Sequence, residues 1–276
     1  MTETVHIGKI AVGGSHPLAV IAGPCVIEDE QTPVRIARHL RDLCRELSIP
    51  LIFKASYDKA NRTSLHSFRG PGLLDGLAVL GRIREELDVP VLSDVHRIGE
   101  IEKAAEVLDI IQIPAFLCRQ TDFVLEVART GKPINIKKGQ FLSPWDMANV
   151  VEKVCSTGNR QILITERGTM FGYNNLVVDF RSLPIIRASG WPVIFDATHS
   201  VQTPGGSGDR SGGDRRFAPV LARAAVAAGA DGVFTEVHFE PDRALCDGPN
   251  SLRMDSLPAL YRELKAIRLA LEGANG

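Results

Sequence analysis

The segment PVLSDVHRIGEIEKAAEVLDIIQIP, residues 90–114, has two short apolar runs on either side of an amphipathic stretch. The runs at 90–95 and 109–114 are rich in Val and Ile, which is typical of buried strands. The stretch at 99–108 has the spacing of apolar residues expected of a helix. A strand, a helix and a second strand in this order form the unit from which parallel sheets are built. The segment therefore predicts an α/β fold.

The same alternation extends over nearly the whole chain of 276 residues. Apolar runs predict eight strands, at 18–23, 50–56, 90–95, 109–114, 133–138, 161–166, 192–197 and 232–237. Helical patterns follow them at about 31–48, 71–88, 99–108, 120–130, 144–157, 179–189, 214–229 and 255–272. Eight such units predict a (β/α)8 TIM barrel, with residues 1–276 forming a single catalytic domain. The alternative, a doubly wound open sheet, usually carries a GxGxxG turn after its first strand, and that motif is absent there.

Two further segments are expected to lie at opposite ends of the barrel. VHIGKIAVGG alternates apolar with polar or glycine residues, so residues 1–14 are predicted to form a β-hairpin that closes the barrel bottom. A frayed arm is the alternative. The stretch SVQTPGGSGDRSGGD, residues 200–214, follows the seventh strand on the face where barrels keep their active sites. It is expected to be a mobile loop over the site, although an ordinary solvated loop would have the same composition.

Composition argues against several classes of protein. The formal net charge is −1, so no overall field draws the chain to nucleic acid or to an anionic membrane. The five cysteines include no CxxC pair, which argues against a disulfide framework and for a reducing compartment. No apolar run approaches the roughly 18 residues that cross a bilayer, and the N-terminus lacks a signal-peptide pattern. These features predict a cytoplasmic protein without nucleic-acid or membrane partners.

Basic residues collect at the ends of the predicted strands, where a barrel has its active site. Five cations together have the chemistry to bind more than one phosphate or carboxylate group: Lys54, Lys59, Arg62, Lys137 and Arg167. One such residue alone would be interpreted as a surface group, but charge at nearly every strand end is costly without partners. Lys137 also suggests a Schiff-base aldolase, in which a desolvated lysine attacks a carbonyl carbon.

A second group of strand-end residues has the chemistry of metal ligands. Cys25, His199, Glu236 and Asp247 offer a thiolate, an imidazole and two carboxylates, which suit a divalent first-row metal ion. They follow the first, seventh and eighth predicted strands, which are neighbours in a closed barrel. Two of them have another interpretation, since Cys25 fits a small core residue and His199 a general base.

The sequence resembles the 3-deoxy-D-manno-octulosonate 8-phosphate synthase family in eight segments: FKASYDKANRTS, RGPGL, SDVH, IQIPAFLCRQTD, NIKKGQF, ERGTMFGYNNLVVD, FDATHS and CDGPNSL. With AGPC ahead of them, they run from residue 23 to about 252. KANR followed by a hydroxyl residue is typical of this family. The main alternative is the related 3-deoxy-arabino-heptulosonate 7-phosphate synthase family, which acts on erythrose 4-phosphate and has a KPRTS-like segment. A catalytically silent barrel that senses a sugar phosphate is a more remote alternative.

The resemblance implies condensation of phosphoenolpyruvate with arabinose 5-phosphate and water. The products would be phosphate and an eight-carbon keto-sugar acid phosphate for lipopolysaccharide (KDO) biosynthesis, made by a homotetramer. By the pattern of the family, Lys137 and Arg167 bind the phosphate of phosphoenolpyruvate, with backbone near Ala115. Arg62 and Thr63 bind the terminal phosphate of arabinose 5-phosphate from a neighbouring subunit. The other substrate-binding residues implied are Lys54, Ser56, Lys59, Asn61, Asp94 and Gln112.

The family divides into a metal-dependent branch, with Cys at the position of Cys25, and a metal-independent branch with Asn there. Cys25 in this chain, with matches at His199, Glu236 and Asp247, implies a divalent metal cofactor such as Zn, Fe, Mn or Co. Four residues are expected to take part in catalysis: His199, Asp247, Asn61 and Lys59. His199 and Asp247 would then serve both as metal ligands and in proton transfer.

Overall fold

The computed structural model describes residues 2–62, 64–173, 175–204 and 212–273. Its strands, in chain order, are β1 (Val5–Ile7), β2 (Ile10–Val12), β3 (Ala19–Gly23), β4 (Leu51–Lys54), β5 (Val91–Asp94), β6 (Ile110–Ile113), β7 (Ile134–Lys137), β8 (Ile162–Glu166), β9 (Thr169–Met170), β10 (Leu176–Val177), β11 (Val193–Asp196), β12 (Gln202–Thr203), β13 (Gly212–Gly213), β14 (Gly232–His238) and β15 (Leu252–Arg253). The eight strands that the apolar pattern predicts correspond to β3, β4, β5, β6, β7, β8, β11 and β14. The two-residue strands are too short to leave a pattern in the sequence.

The eight predicted strands are parallel neighbours in the order of the chain, from β3 to β8 and then β11 and β14. β14 pairs with β11 on one side and with β3 on the other, so the sheet closes on itself. A doubly wound sheet would have two open edges, and closure excludes it. The predicted (β/α)8 barrel is therefore confirmed.

Each strand of the barrel is followed by a helix, as the sequence predicts. The helices are α1 (Gln31–Leu47), α2 (Leu73–Leu87), α3 (Ile101–Val107), α4 (Thr121–Arg129), α5 (Met147–Cys155), α6 (Ser182–Ala188), α7 (Ala218–Ala227) and α8 (Leu257–Gly273). α6 begins three residues later than predicted, because the side chain of Asp179 accepts a hydrogen bond from the backbone N–H of Arg181 and closes a turn there. α5 likewise begins three residues late, after a turn that ends at Asp146.

Helix α1 illustrates why these segments are helical and how they cover the barrel. Asp29 accepts hydrogen bonds at 2.7 Å from the backbone N–H groups of Gln31 and Thr32, which would otherwise be unpaired at the helix start. Its buried residues recur at helical spacing: Pro33, Val34, Ile36, Ala37, Leu40, Leu43, Cys44 and Leu47. The helix ends at Ser48, whose φ of 52° lies in the left-handed region that stops a helix. The apolar face packs against β3 and β4.

Alternate residues of the strands point into the barrel and form two layers of different chemistry. The lower layer is apolar and consists of Ala19, Ile21, Ile52, Leu92, Ile110, Leu163, Ile194 and Phe234. Val5, Ile7 and Val12 of the β1–β2 hairpin pack onto this layer, so the hairpin closes the barrel bottom as predicted. Two residues farther along the strands, the buried side chains are polar: Lys54, Asp94, Gln112, Thr165, Asp196 and Glu236. The polar layer forms the floor of the upper barrel mouth.

The loop after β11 returns to the barrel as a short hairpin. β12 and β13 pair antiparallel, with Gln202 opposite Gly213 and Thr203 opposite Gly212. The tip, residues 205–211, lies outside the described residues, so the expected mobile lid stays a prediction. None of the helices in the described part of the chain combines the length and the apolar character needed to cross a membrane.

Candidate active site

Glu236 is the centre of the charged groups in the barrel mouth. Its side chain is fully buried, and Lys54 Nζ donates to Oε1 at 2.9 Å. Lys59 Nζ lies 3.7 Å and His199 Nε2 3.5 Å from the same oxygen. Burial alone would raise the pKa of Glu236, but the charges of His199, Lys54 and Lys59 outweigh it and hold the pKa well below its usual range. The carboxylate is therefore ionised, and the ammonium groups of Lys54 and Lys59 compensate its burial.

The four predicted metal ligands meet at Asp247, which belongs to two groups of donor atoms. In one group, donor atoms of His199, Glu236 and Asp247 lie within 4.8 Å of one another, and in the other Asp247 joins Cys25 and Cys246. Cys25 Sγ is 3.0 Å from Cys246 Sγ and 3.5 Å from Asp247 Oδ2. Burial raises the pKa of Cys25 well above its usual value, and the contact with Cys246 raises it further. Cys25 is thus a thiol unless a cation displaces its proton.

Two observations indicate that these groups suit a cation. Glu236 Oε2 is buried and has no hydrogen-bond partner among the described residues, which is costly for a charged oxygen. Asp247 has a φ of 46°, in the left-handed region that non-glycine residues rarely adopt. Its carbonyl oxygen accepts hydrogen bonds from Asn250 and Ser251, which hold this conformation in place. Residues kept in such conformations concentrate at functional sites.

Lys137 and Arg167 lie beside this cluster and are both buried. Burial lowers the pKa of Lys137 to about 8, an effect that Asp196 opposes and the nearby charges of Arg167 and Lys54 reinforce. Lys137 Nζ contacts Asp196 and lies 3.3 Å from the centre of the Phe234 ring. Arg167 donates to Gln202 Oε1 at 2.9 Å, and burial lowers its pKa as well. Two neighbouring cations that are shielded from water can bind an anion such as phosphate through charge-assisted hydrogen bonds.

The predicted residues Lys59, Asn61 and Arg62 line a cavity of about 120 Å³ at the barrel mouth. Arg167, His199 and Asp247 line the same cavity. Arg62 Nη1 donates to Cys246 Sγ at 2.8 Å and lies 3.4 Å from Asp247 Oδ1 of its own chain. Thr63 lies outside the described residues. The reach of Arg62 and Thr63 into a neighbouring subunit stays a prediction.

The remaining predicted substrate-binding residues are part of the polar layer or adjoin it. Ser56 Oγ donates to Asp94, whose other oxygen is 2.9 Å from His96 Nε2. Burial would raise the pKa of Asp94, but His96 and Lys59 hold it well below its usual range. Gln112 accepts a hydrogen bond of 2.9 Å from Asn135, and Ala115 begins a short 3-10 helix directly after β6.

Several polar residues of the site lie outside those that the sequence singles out as functional, among them Asp196, Gln202 and Cys246. Asp196 contacts both Lys137 and His199. Gln202 links Arg167 to Asp247, donating to Asp247 Oδ2 at 3.3 Å. Asp196 had a signal in the sequence, since FDATHS puts it at a strand end three residues before His199. Gln202 and Cys246 belong to the site because they contact residues far away in the chain, and no local sequence pattern predicts such contacts.

Comparison with known proteins gives a consistent result along the chain. The model of the DAHP synthetase I family matches residues 2–272. A protein of Geotalea daltonii is 63% identical over 267 residues, covering 97% of this chain and 98% of that relative. A protein of Desulfosudis oleivorans is 65% identical over 271 residues, covering 98% of this chain and 97% of the relative. Both relatives are named 2-dehydro-3-deoxyphosphooctonate aldolase.

Proposed function

The chain belongs to the DAHP synthetase I family, and on this premise we propose that it condenses phosphoenolpyruvate with arabinose 5-phosphate and water. The products are 3-deoxy-D-manno-octulosonate 8-phosphate, an intermediate of lipopolysaccharide (KDO) biosynthesis, and inorganic phosphate. Full-length relatives named for the eight-carbon product, together with the KANRTS segment, favour this enzyme over the seven-carbon synthase. The chain is therefore a transferase that acts on two small phosphorylated substrates.

The observation that carries the proposal is the convergence of four buried cations in the barrel mouth. Lys54 ends β4 and Lys137 ends β7, with two strands between them, and Lys59 and Arg167 follow β4 and β8. Glu236 contacts Lys54 and Lys59, Asp196 contacts Lys137, and Arg167 donates to the neutral amide of Gln202. Two carboxylates thus serve four buried cations, and anionic ligands would compensate the remaining charge. We assign Lys137 and Arg167, with backbone near Ala115, to the phosphate of phosphoenolpyruvate. Lys54, Lys59, Ser56 and Gln112 provide its other contacts, including those to the carboxylate.

The second substrate lies above the first, toward the cavity that Asn61 and Arg62 line. We assign Asn61 and Asp94 to the hydroxyl chain of arabinose 5-phosphate, and Arg62 with Thr63, reaching in from a neighbouring subunit, to its terminal phosphate. Holding two highly charged substrates within reacting distance neutralises their repulsion and converts a bimolecular encounter into a positioned reaction. Compensation of substrate charge is therefore the main contribution of the basic residues.

The reaction balances in three steps. The methylene carbon of phosphoenolpyruvate forms a bond with the aldehyde carbon of arabinose 5-phosphate, whose oxygen takes up a proton. The oxygen of water bonds to the carbon that carries the phosphate, and the water loses a proton. Cleavage of the bond between that carbon and the phosphate oxygen, with transfer of the remaining hydroxyl proton to the departing phosphate, then leaves a ketone and inorganic phosphate. Lys59, His199 and Asp247 face the cavity where these protons move.

We further propose that Cys25, His199, Glu236 and Asp247 hold a divalent metal ion. The thiol, imidazole and carboxylate donors fit Zn, Fe, Mn or Co, and the unpartnered Glu236 Oε2 supports a cation at this position. When bound, such an ion supplies Lewis-acid polarisation of the aldehyde or orientation of the attacking water. The residues themselves fix the position of the ion through the contacts of His199 with Asp196 and of Asp247 with its own loop.

We also propose that the enzyme is a cytoplasmic homotetramer with each chain forming one catalytic domain. Large apolar side chains are exposed on loops around the barrel mouth: Phe116, Phe141, Trp145, Phe171 and Tyr173. Aromatic side chains are enriched in protein–protein interfaces, so these exposed residues support association between chains. The five cysteines are free, which suits a reducing compartment. Sedimentation of the purified protein measures the number of subunits directly.

One assay tests the proposed function. Release of phosphate from phosphoenolpyruvate is measured with arabinose 5-phosphate and, separately, with erythrose 4-phosphate, before and after treatment with a chelator. We expect release with the five-carbon sugar, loss of activity on chelation and recovery with added metal. Release only with erythrose 4-phosphate would identify the seven-carbon synthase. Tight binding of sugar phosphates without release would identify a sensing barrel, and full activity after chelation would refute the metal requirement.

A further inference from the structure

Asp196 connects the phosphate-binding side of the barrel mouth to the metal-binding side. It is the last residue of β11 and its side chain is fully buried. Oδ2 contacts Lys137 Nζ and lies 2.7 Å from His199 Nδ1. Oδ1 accepts hydrogen bonds from the backbone N–H of His199 at 2.9 Å and from Thr198 Oγ1 at 3.2 Å. A single carboxylate oxygen is thus shared between a lysine assigned to phosphate and an imidazole assigned to metal.

The contacts of Asp196 fix the orientation of the His199 ring. Oδ2 faces two groups, and the ammonium of Lys137 can only donate, so the carboxylate acts as an acceptor toward both. Nδ1 of His199 must then carry the hydrogen that it shares with Asp196. In the neutral ring this leaves the lone pair on Nε2, which lies 3.5 Å from Glu236 Oε1 and 3.7 Å from Asp247 Oδ2. The lone pair points into the group of metal donors.

A second contact ties the same carboxylate to Glu236. Thr198 Oγ1 donates to Asp196 Oδ1 and accepts a hydrogen bond of 3.0 Å from the backbone N–H of Glu236. Buried hydrogen bonds therefore hold the segment from Asp196 to His199 in place. Asp196 contacts His199, and Thr198 connects the segment to Glu236. Metal-binding histidines usually depend on such an outer acceptor, and its removal typically lowers metal affinity about 10–100-fold.

We infer that Asp196 is a positioning residue that sets the tautomer of His199 and couples the binding of phosphoenolpyruvate to the binding of the metal ion. The inference rests on the proposed function, because it takes Lys137 as a phosphate ligand. A substrate phosphate that engages Lys137 leaves more of the Asp196 charge for His199, which makes Nε2 a stronger donor. His199, when it holds a metal ion, would in turn contact Asp196 more strongly and leave Lys137 freer for phosphate. By linkage, each ligand tightens the other by the same factor.

Titration of the metal-free protein with Co²⁺, with and without phosphoenolpyruvate, tests the coupling independently of turnover. In the natural protein, phosphoenolpyruvate should tighten Co²⁺ binding. Asp196→Asn should lower Co²⁺ affinity about 10–100-fold and reduce the tightening by phosphoenolpyruvate. The conservative Asp196→Glu should restore part of both effects, because it keeps the carboxylate. Unchanged Co²⁺ affinity in Asp196→Asn, or an unchanged tightening factor, would overturn the inference.

A matched control separates positioning from general destabilisation. Asp231 is also a buried carboxylate in this barrel, and it accepts from the Val193 backbone at 2.9 Å and from Arg187 at 3.0 Å, at the opposite end of β11. Asp231→Asn should lower the free energy of unfolding and leave Co²⁺ affinity unchanged. Equal losses of Co²⁺ affinity in the two variants would count against a specific role for Asp196.

A second measurement needs no variant and stays informative if Asp196→Asn does not fold. Nitrogen NMR of the metal-free protein, labelled at histidine, reports which ring nitrogen of His199 carries the hydrogen. Hydrogen on Nδ1 of the neutral ring supports the inference, and hydrogen on Nε2 alone overturns it. The tautomer does not depend on the reaction catalysed. Hydrogen on Nδ1 without any phosphate release in the condensation assay would therefore refute the proposed function and leave the positioning role intact.

Discussion

Lys54 donates a hydrogen bond of 2.9 Å from Nζ to Glu236 Oε1, and both side chains are shielded from solvent at the centre of the barrel mouth. Lys54 Nζ also donates to the carbonyl oxygen of Cys25 at 2.9 Å. The same ammonium therefore compensates the buried carboxylate and fixes the backbone of the residue assigned to the metal site. Lys54 is therefore expected to affect both the stability of the protein and the binding of its ligands.

Replacement of Lys54 by Met should lower the free energy of unfolding by about 3–5 kcal/mol, because it leaves the buried charge of Glu236 without its main partner. Denaturant-induced unfolding measures the loss. Lys9→Met is a matched control, since Lys9 forms an ion pair with Asp88 at 2.7 Å on the surface, with both side chains largely exposed. Breaking that pair should change the free energy of unfolding little, because water and salt screen exposed charges. Similar losses in the two variants would contradict the importance of burial.

Binding of phosphoenolpyruvate should weaken as the pH rises through about 8, because the pKa of Lys137 lies there and its ammonium is lost. The phosphate of the ligand is already doubly ionised at this pH, since its second pKa is near 6, so its own charge does not change. Equilibrium binding of phosphoenolpyruvate to the metal-free protein between about pH 7 and 9.5 measures the effect. The negative charge of the bound phosphate raises the pKa of Lys137, so the pH at which binding weakens lies higher in the complex. A constant affinity over this range would contradict the role of Lys137.

The same shift has a consequence for stability. Lys137 has a lower pKa in the folded chain than in the unfolded chain, whose value is near 10.5. Between about 8 and 10.5 the unfolded chain therefore binds a proton that the folded chain has released. The contribution of Lys137 to stability rises with pH over this window, because deprotonation removes the cost of burying its charge. In Lys137→Met, the free energy of unfolding should lack this rise between about pH 8 and 10.5, which denaturant-induced unfolding at each pH measures.

The polar layer of the barrel is the part of the site that the sequence predicts best. Successive side chains of a strand point to opposite faces of the sheet, so residues two positions apart lie on the same face. Ile52 and Ile194 are core residues, which places Lys54 and Asp196 on the face toward the barrel axis. The ion pairs could not be predicted in the same way. Lys54 reaches Glu236 only because β3 lies between β4 and β14 in the closed sheet, a relation that depends on topology and register.

Cys246 shows the limit of local patterns more clearly. Its sulfur lies 3.0 Å from that of Cys25, although 221 residues separate the two in the chain. The conformation of Asp247, with φ of 46°, turns the loop so that Cys246 and Asp247 both face the barrel mouth. No spacing in CDGPNSL reveals that turn. The sequence therefore predicts the residue types of the proposed metal site but not which two sulfurs lie together.

Cys25→Ser should abolish the sulfur-to-metal absorption of the Co²⁺-loaded protein. Burial keeps Cys25 protonated in the metal-free protein, so metal binding must displace a proton, and the variant should release fewer protons per metal ion bound. Absorption spectra and proton release in weak buffer measure both effects. Cys44→Ser is the control, because Cys44 is an equally buried thiol on α1. Sulfur-to-metal absorption that persists in Cys25→Ser would show that Cys246 supplies the sulfur.

Cys25→Asn tests whether the barrel also supports the reaction without metal. Asn occupies this position in the metal-independent branch of the family that the chain resembles, and it introduces a neutral polar group where the thiol stood. We expect condensation activity to survive at a reduced rate and to become insensitive to chelators. The measurement is phosphate release before and after chelation, with the natural protein assayed in parallel. Activity that still depends on added metal would contradict Cys25 as an essential ligand.

The position of Arg62 leads to a test of whether active sites are shared between subunits. Within one chain, Arg62 lies against Cys246 and Asp247, whereas the proposed role places it at the sugar phosphate of a neighbouring site. Arg62→Ala should raise the KM for arabinose 5-phosphate more than that for phosphoenolpyruvate, because it removes a phosphate contact of arabinose 5-phosphate alone. Lys137→Ala should inactivate the site that contains it.

Co-expression of the two variants, each with its own affinity tag, yields mixed oligomers that carry both changes on different chains. If Arg62 serves a neighbour, a site formed by the Arg62→Ala chain can have its own intact Lys137 and an intact Arg62 from the adjacent Lys137→Ala chain. Purified mixed oligomers should then be more active than either variant alone. If Arg62 serves its own chain, every site lacks one of the two cations, and mixing should restore nothing. Activity of the mixture therefore decides between the two positions of Arg62.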